Sequence, residues 1–414
     1  MGLFWIESNR NLEVSYNTFF NELIKEGENN VYVKHENPYI VFLNLIRNCI
    51  SGKKSIILDS DFSEVEMNAL EISNDVYLNG KFVQPNLSES FQSFEDIISF
   101  LKAQNEKLEI DIYTSGTTGR PKKITQRFKN LTRAVKERES LQKCVWGFAY
   151  NPTHFAGLQV FFQALYNQNK IVYIFNKGFE AVYNDFLDYQ ITHLSCTPTF
   201  MKMLLPLIKT PINSVESLTF GGEKFEPSIE KIIKNKFPKA TIKNVYASTE
   251  AGSLLKAEGE YFLIPSRYKD LIRIENNELL IHKELLGTSK SFNLEGDWYQ
   301  TGDIVEFLDN EKFKFKNRKS EMINVGGYKV NPSEVEAIIK EIEGVQDVIV
   351  FGRDNSVMGK IVVAHVIKNE SEDKKELKNR IKEITKSKLQ DYKLPRLIKF
   401  VDAFELTRTG KIKR

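Results

Sequence analysis

Apolar positions in the first 250 residues switch between two periods. Residues 39–50 (YIVFLNLIRNCI) carry apolar side chains at helical spacing, and 54–59 (KSIILD) form a short strand run. The same alternation recurs further on, with strands expected at 145–149 and 171–175 and a helix over 158–168 between them. Residues 191–208 continue it, ITHLSC as strand and PTFMKMLLPLIK as helix with Pro198 near its first turn. Then come a strand at 217–222, a helix near 227–236 and a strand at 241–248. Strands alternating with helices imply a largely parallel sheet covered on both faces.

After Gly252 the pattern changes. Residues 260–315 hold short β runs (YFLI, LIRIE, ELLIHK, WYQTGDIVEFL, KFKFK), which predict a mainly antiparallel lobe. Beyond Pro332, PSEVEAIIKEI predicts a helix opened by a capping box between Ser333 and Glu336. QDVIVFG and KIVVAHVIK read as strands, and 371–391 as a charged helix whose face is solvated or docks an acidic partner. The expected fold class is α/β. A large N-terminal domain, 1–317, holds mostly parallel sheet plus the antiparallel lobe, and a small α+β domain spans 318–414.

The chain has 414 residues, and 58 Lys plus Arg against 55 Asp plus Glu leave a net charge of +3. So even a balance gives no argument for nucleic acid as a partner. Cys49, Cys144 and Cys196 are scattered without CxxC spacing, which argues against a zinc site or disulfide framework and for a cytoplasmic protein. The N-terminus lacks a signal-peptide pattern, and no apolar run is long enough for a membrane helix.

The most informative chemistry lies at 111–124, DIYTSGTTGRPKKI. A short strand runs into hydroxyls, two glycines and a lysine. Gly116 and Gly119 tolerate positive φ, so successive backbone N–H groups can cradle an anion. Thr114, Ser115, Thr117 and Thr118 add hydroxyls, and Lys122 adds a point charge. Such a loop suits a polyphosphate, although it is not the GxxxxGK pattern of P-loop proteins.

The string YTSGTTGRPKK closely resembles the phosphate-binding loop of the adenylate-forming superfamily: acyl- and aryl-CoA synthetases, peptide-synthetase adenylation domains and firefly-type luciferases. The resemblance covers roughly residues 110–414, and the first 109 residues carry no family motif. It implies ATP and Mg²⁺ as cofactors, with CoA or another phosphopantetheine thiol as acceptor. Residues 246–252, YASTEAG, resemble the family's YGxTE segment. The resemblance puts Tyr246 on adenine, Thr249 on the α-phosphate and Glu250 on Mg²⁺, with Ser248 alongside and Ala247 replacing the usual glycine. FGGE at 220–223 resembles a strand-end turn of the family, adding Gly222 and Glu223 to the nucleotide-binding set. Asp303, in WYQTGDIVEF, would accept from both ribose hydroxyls, since a carboxylate offers only acceptors.

NRKSEMINVGGYKV at 317–330 resembles the family's hinge and glycine loop. Arg318 would contact ribose or phosphate, Gly326 and Gly327 would line a passage for the thiol arm, and Lys329 belongs to the same segment. Asn317 stands where glycine is common, and Ser320 occupies the usual hinge position. Lys411, in TRTGKIKR, resembles the family's mobile catalytic lysine, which offsets charge growing in the transition state.

NPTHFAGL at 151–158 resembles a segment of acyl- and aryl-CoA ligases. His154 falls where amino-acid-activating domains place an aspartate, so a small carboxylic acid is expected rather than an amino acid. Phe155 and Phe220 are further candidates for the pocket wall. The implied enzyme forms an acyl- or aryl-AMP and transfers the acyl group to CoA, as o-succinylbenzoate– and aryl-CoA ligases do. Three alternatives stay open: loading of a separate acidic acyl carrier protein, a luciferase-like oxygenase, and a non-catalytic nucleotide-binding protein. The chain is expected to be freestanding, without a fused carrier segment, and its N-terminal part is expected to be shortened.

Overall fold

The computed structural model describes residues 2–114, 122–308, 312–325, 328–355, 358–407 and 411–413, less the side chains of Thr114, Glu258, Ser320 and Lys329. The chain divides into two compact units. One comprises 1–272, 281–299 and 408–411; the other comprises 273–280, 300–407 and 412–414.

The first unit is built on a twisted sheet whose central strands are all parallel. Leu3–Glu7, Lys170–Tyr173, Val145–Phe148, His193–Cys196, Ser217–Phe220 and Thr241–Ser248 lie side by side in that order. Antiparallel strands flank them: Leu12–Ser15 on one side, Gly252–Glu258 and Tyr261–Leu263 on the other. Both faces are buried, as the alternation of side chains requires. Trp5, Ile171 and Tyr173 face one core, where Phe42 and Phe161 stack at 3.9 Å; Ile6, Val172 and Ile174 face a second. Thus the α/β class expected from the pattern is the class observed. Helices Pro38–Ile50, Phe155–Tyr166 and Pro198–Leu204 form where apolar residues recur at helical spacing, two of them with proline at the first turn.

Strand Leu3–Glu7 has no counterpart in the sequence reading. It joins the sheet with Trp5 opposite Ile171, a partner more than 160 residues away, and Phe4 and Trp5 are fully buried. A second sheet orders Tyr32–Val33, Ser55–Ile57, Glu109–Thr114 and Lys122–Arg127, the last pair antiparallel.

In the second unit the part of strand Trp298–Phe307 from Asp303 onward pairs antiparallel with Lys312–Arg318. A separate sheet holds Tyr328–Val330, Ile323–Val325, Gly359–Lys368 and Val345–Asn355, with Leu397–Phe400 parallel to Gly359–Lys368. Helices Pro332–Lys340 and Lys374–Lys388 contribute Val335, Ile339, Leu377 and Ile381 to its core. The expected capping box is not made. Asn331 caps the helix by accepting from the Ser333 N–H at 3.1 Å, and the Glu336 carboxylate accepts from the Val350 N–H at 2.7 Å. Tying helix to sheet satisfies a buried donor, which a solvent-facing box would leave unpaired. Among the described residues no helix is long and apolar enough to cross a membrane.

His193 opens one of the parallel strands, with Cys144 Sγ 3.7 Å from its Nε2 and Thr192 Oγ1 2.9 Å from its Nδ1. Burial, reinforced by the Lys243 ammonium, lowers its pKa to about 4. In the unfolded chain the ring titrates near about 6.5, so below that pH unfolding takes up a proton that the folded state refuses. Stability is therefore expected to fall as pH drops from about 6.5 towards 4. Urea denaturation over this range is expected to show a flatter acid limb in His193→Gln than in the parent.

Candidate active site

Parallel strands deliver their carboxyl ends to one edge, and ligands of open α/β sheets bind there. The register fixes the neighbours: Ser195 pairs with Phe148, Cys196 with Phe220, and Phe220 with Asn244. Just beyond these ends come Asn151–His154, Thr197, Gly221–Glu223 and the Thr249–Glu250 turn. One edge of the first unit thus collects His154, Gly222, Glu223, Thr249 and Glu250.

Gly222 has φ +80°, a left-handed conformation that favours glycine. A methyl added there would lie 3.2 Å from Lys411 Cε and 3.5 Å from Lys411 Nζ, so the lysine sits directly against this turn. The adjacent Glu223 carboxylate accepts from the Thr199 N–H at 3.1 Å, capping helix Pro198–Leu204 beside the Thr197 hydroxyl cap. Its geometry is that of a group holding the edge together.

Tyr246, Ala247 and Ser248 are half-buried at the end of Thr241–Ser248, where the pairing with Gly252–Glu258 is irregular between Tyr246 and Ala247. The Ser248 hydroxyl accepts from the Ala251 N–H at 3.2 Å, closing the tight turn that carries Thr249 and Glu250. Gln126 donates to the carbonyls of both turn residues, at 2.6 and 2.9 Å, a contact that sequence reading missed.

Thr114 and Lys122 end and begin an antiparallel pair of strands and face each other across it. Ser115, Gly116, Thr117, Thr118 and Gly119, between them, lie outside the described residues.

His154 precedes helix Phe155–Tyr166, and its Nε2 lies 3.3 Å from Asp59 Oδ2. Asp59 is buried and also accepts from Asn151 Nδ2 at 3.1 Å and from the Thr153 hydroxyl. This carboxylate was not foreseen; an acid directly after the run KSIIL is its only local signal. These hydrogen bonds offset the desolvation of a buried carboxylate. Phe155 reaches the same edge, since a methyl on Gly252 would meet Phe155 Cζ at 3.1 Å.

In the second unit Asp303 pairs in register with Arg318, and Arg318 Nε donates to Asp303 Oδ1 at 2.7 Å. The turn before it is pinned: Gly302, at φ +75°, donates to Glu278 Oε1 at 2.8 Å, and Thr301 Oγ1 donates to the Leu279 carbonyl at 2.7 Å. Glu278, buried, is another contributor missed from sequence. Gly326 and Gly327 lie outside the described residues; the backbone of Lys329 pairs with Asn324.

Among the described residues no group of three or more His, Cys, Asp or Glu side chains could hold a metal ion. Mg²⁺ nevertheless fits Glu250, because it characteristically takes one or two protein carboxylates and fills its shell with phosphate oxygens and water.

A Gly222→Ala chain is expected to lose about 1–2 kcal/mol of stability, because its positive φ disfavours any side chain. Melting temperatures of the two chains would check this.

Known proteins resemble this chain in sequence and in fold. The 2-succinylbenzoate–CoA ligase of Staphylococcus epidermidis is 26% identical over 381 residues, covering 84% of this chain and 78% of the relative. The 4-hydroxybutyrate–CoA ligase 1 of Metallosphaera sedula is 28% identical, covering 81% of this chain and 66% of the relative. The o-succinylbenzoate coenzyme A synthetase of Bacillus subtilis, solved with ATP and magnesium ion, shares the fold with a TM-score of 0.69 at 17% identity, covering 99% of this chain and 95% of that one. The family model for the C-terminal domain of AMP-binding enzymes matches residues 334–411, and that for the AMP-binding enzyme itself matches residues 50–268, which include the Gly222 and Glu250 turns; the chain belongs to the AMP-binding enzyme family.

Proposed function

We propose that this enzyme is an ATP-dependent acid–CoA ligase that works through an acyl adenylate. The observation that carries the reading is Lys411 held against Gly222 at the carboxyl edge of the parallel sheet. A point cation there can offset the charge that builds on a carboxylate and an α-phosphate as they join.

In the first half-reaction a carboxylate oxygen attacks the α-phosphorus of ATP, the bond to the bridging oxygen breaks, and pyrophosphate leaves. Positioning and charge stabilisation dominate such a step. We assign the β- and γ-phosphates to Thr114–Lys122, the α-phosphate to Thr249, adenine to Tyr246 and its neighbours, and ribose to Asp303 oriented by Arg318. Glu250 would hold Mg²⁺, which supplies charge neutralisation to the phosphates. In the second half-reaction the CoA thiol attacks the acyl carbon, AMP leaves, and a thioester forms; Gly326, Gly327 and Lys329 are assigned to the thiol's approach. The proposed division at 317/318 places Lys411 on a small domain. A turn of that domain about Arg318–Ser320 would withdraw the lysine between half-reactions.

For the acid, the names of the relatives favour a small aryl or acyl carboxylic acid, with aryl acids carrying a second carboxylate first in order. Phe155 and Phe220, both buried at the edge, suit an aryl group. His154, steadied by Asp59, is assigned to the acid's polar end. Three free, buried cysteines suit a reducing compartment, and we place the enzyme in the cytoplasm. One observation favours a second thiol donor: Lys374, Lys375, Lys382, Lys386 and Lys388 are exposed along one helix, a surface complementary to an acidic acyl carrier protein.

Exchange of pyrophosphate into ATP, assayed over a panel of aryl, dicarboxylic and fatty acids, tests the reading. Exchange with one acid followed by thioester formation with CoA is the expected result; transfer only to a carrier protein would select the second donor. Lys411→Ala is expected to lose at least about 10²-fold of adenylation while still converting supplied acyl-AMP and CoA to thioester. Equal loss of both halves would contradict the lysine's assignment.

A further inference from the structure

Two polar side chains on one short stretch, Gln126 and Arg133, bond to the turn that carries Thr249 and Glu250, and Asn130 links them. Gln126, at the end of strand Lys122–Arg127, is fully buried. Its Nε2 donates to the carbonyls of Thr249 and Glu250, and its Oε1 accepts from Asn130 Nδ2 at 3.0 Å. Asn130, also buried, lies on helix Phe128–Thr132 and donates to the Leu286 carbonyl at 3.2 Å. Its Oδ1 accepts from Arg133, whose guanidinium also donates to Ala251 O at 3.3 Å and to Leu285 O at 3.1 Å. Three successive carbonyls, 249, 250 and 251, are thus each bound by a side chain of this ladder.

The far side is closed too. The Gly287 N–H donates to Glu250 O at 2.8 Å, and a methyl on Gly287 would lie 2.7 Å from Gln126 Nε2. Fixing successive carbonyls fixes their peptide planes. That in turn sets the directions in which the Thr249 and Glu250 side chains leave the main chain. Gln126 stands four residues after Lys122 on the same strand, so the phosphate-loop strand and the Glu250 turn share one rigid connection.

We propose that Gln126, backed by Asn130 and Arg133, is a positioning residue that presents Glu250 to the metal ion accompanying the nucleotide. The proposal rests on the assignment of Glu250 above. Gln126 touches no reacting atom; it acts through the turn.

Calorimetric titration of the full chain with ATP, with and without Mg²⁺, tests it without any turnover. In the parent, Mg²⁺ is expected to strengthen ATP binding by about tenfold or more. In Gln126→Met, which keeps the volume but has no donor, that advantage is expected to shrink to less than about threefold while metal-free affinity stays within about threefold. Gln126→Asn keeps an amide one methylene short of the two carbonyls and must lose the same advantage. A folded variant that retains the Mg²⁺ advantage overturns the proposal. So does parallel loss of metal-free binding, which marks general damage, and so does failure of both variants to fold. A parent whose ATP binding ignores Mg²⁺ overturns it as well. If the parent shows a Mg²⁺ advantage that both variants lose, yet no acid supports exchange, the positioning role stands and the ligase reading falls.

Discussion

Parallel strand register is the constraint on which the first unit depends. Six neighbouring strands run the same way, so each ends at the same edge, and chain joining one parallel strand to the next must cross back over a face of the sheet. A slip of one residue would exchange the side chains that Trp5, Ile6, Ile171 and Val172 deliver to the two cores, so burial on both faces locks the register. With the register locked, the positions where chain leaves the sheet are fixed as well. The turns bearing His154, Gly222 and Glu250 are therefore brought to one edge by the hydrophobic packing beneath them.

Leaving a sheet strands backbone groups without ladder partners, and the edge is held by side chains that supply them. Glu223 serves a helix N-terminus, Ser248 closes its own turn, and Gln126 takes two carbonyls. Asp59 gathers the loop before helix Phe155–Tyr166 through Asn151, Thr153 and His154. Glu278 and Thr301 do the same for the turn before Asp303 in the second unit. A buried polar group that lacks a partner is costly, so each pairing both stabilises and immobilises its turn. Acyl adenylation demands such immobility, because it offers the protein little covalent chemistry and rewards placement of charge.

The boundary between what was legible in the sequence and what was not follows from the range of the interactions. Apolar periodicity reports which side of an element is buried, and it located the helix at 38–50 and the five parallel strands between 145 and 248, but not helices Glu64–Ala69, Phe94–Ala103 and Phe179–Asp188. Motif strings reported chemistry, because hydroxyls, glycines, a Thr-Glu pair and a lysine at set spacings are local properties. The Ser333–Glu336 pair shows the limit of that reasoning: the local box was available, yet Glu336 is used by Val350 on the sheet.

By itself the sequence determined the α/β class, the order of the parallel strands between 145 and 248, and the phosphate-loop string. Only the tertiary structure decided that Leu3–Glu7 enters the sheet, that Lys411 lies against Gly222, and that Asp59, Gln126 and Glu278 support the turns around them. The physical reason is that a period along the chain states how much of a residue is buried but not against what. Asp59 meets Thr153 across 94 residues and Gln126 meets Thr249 across 123, and such partners are chosen when the sheet closes, by packing on both its faces.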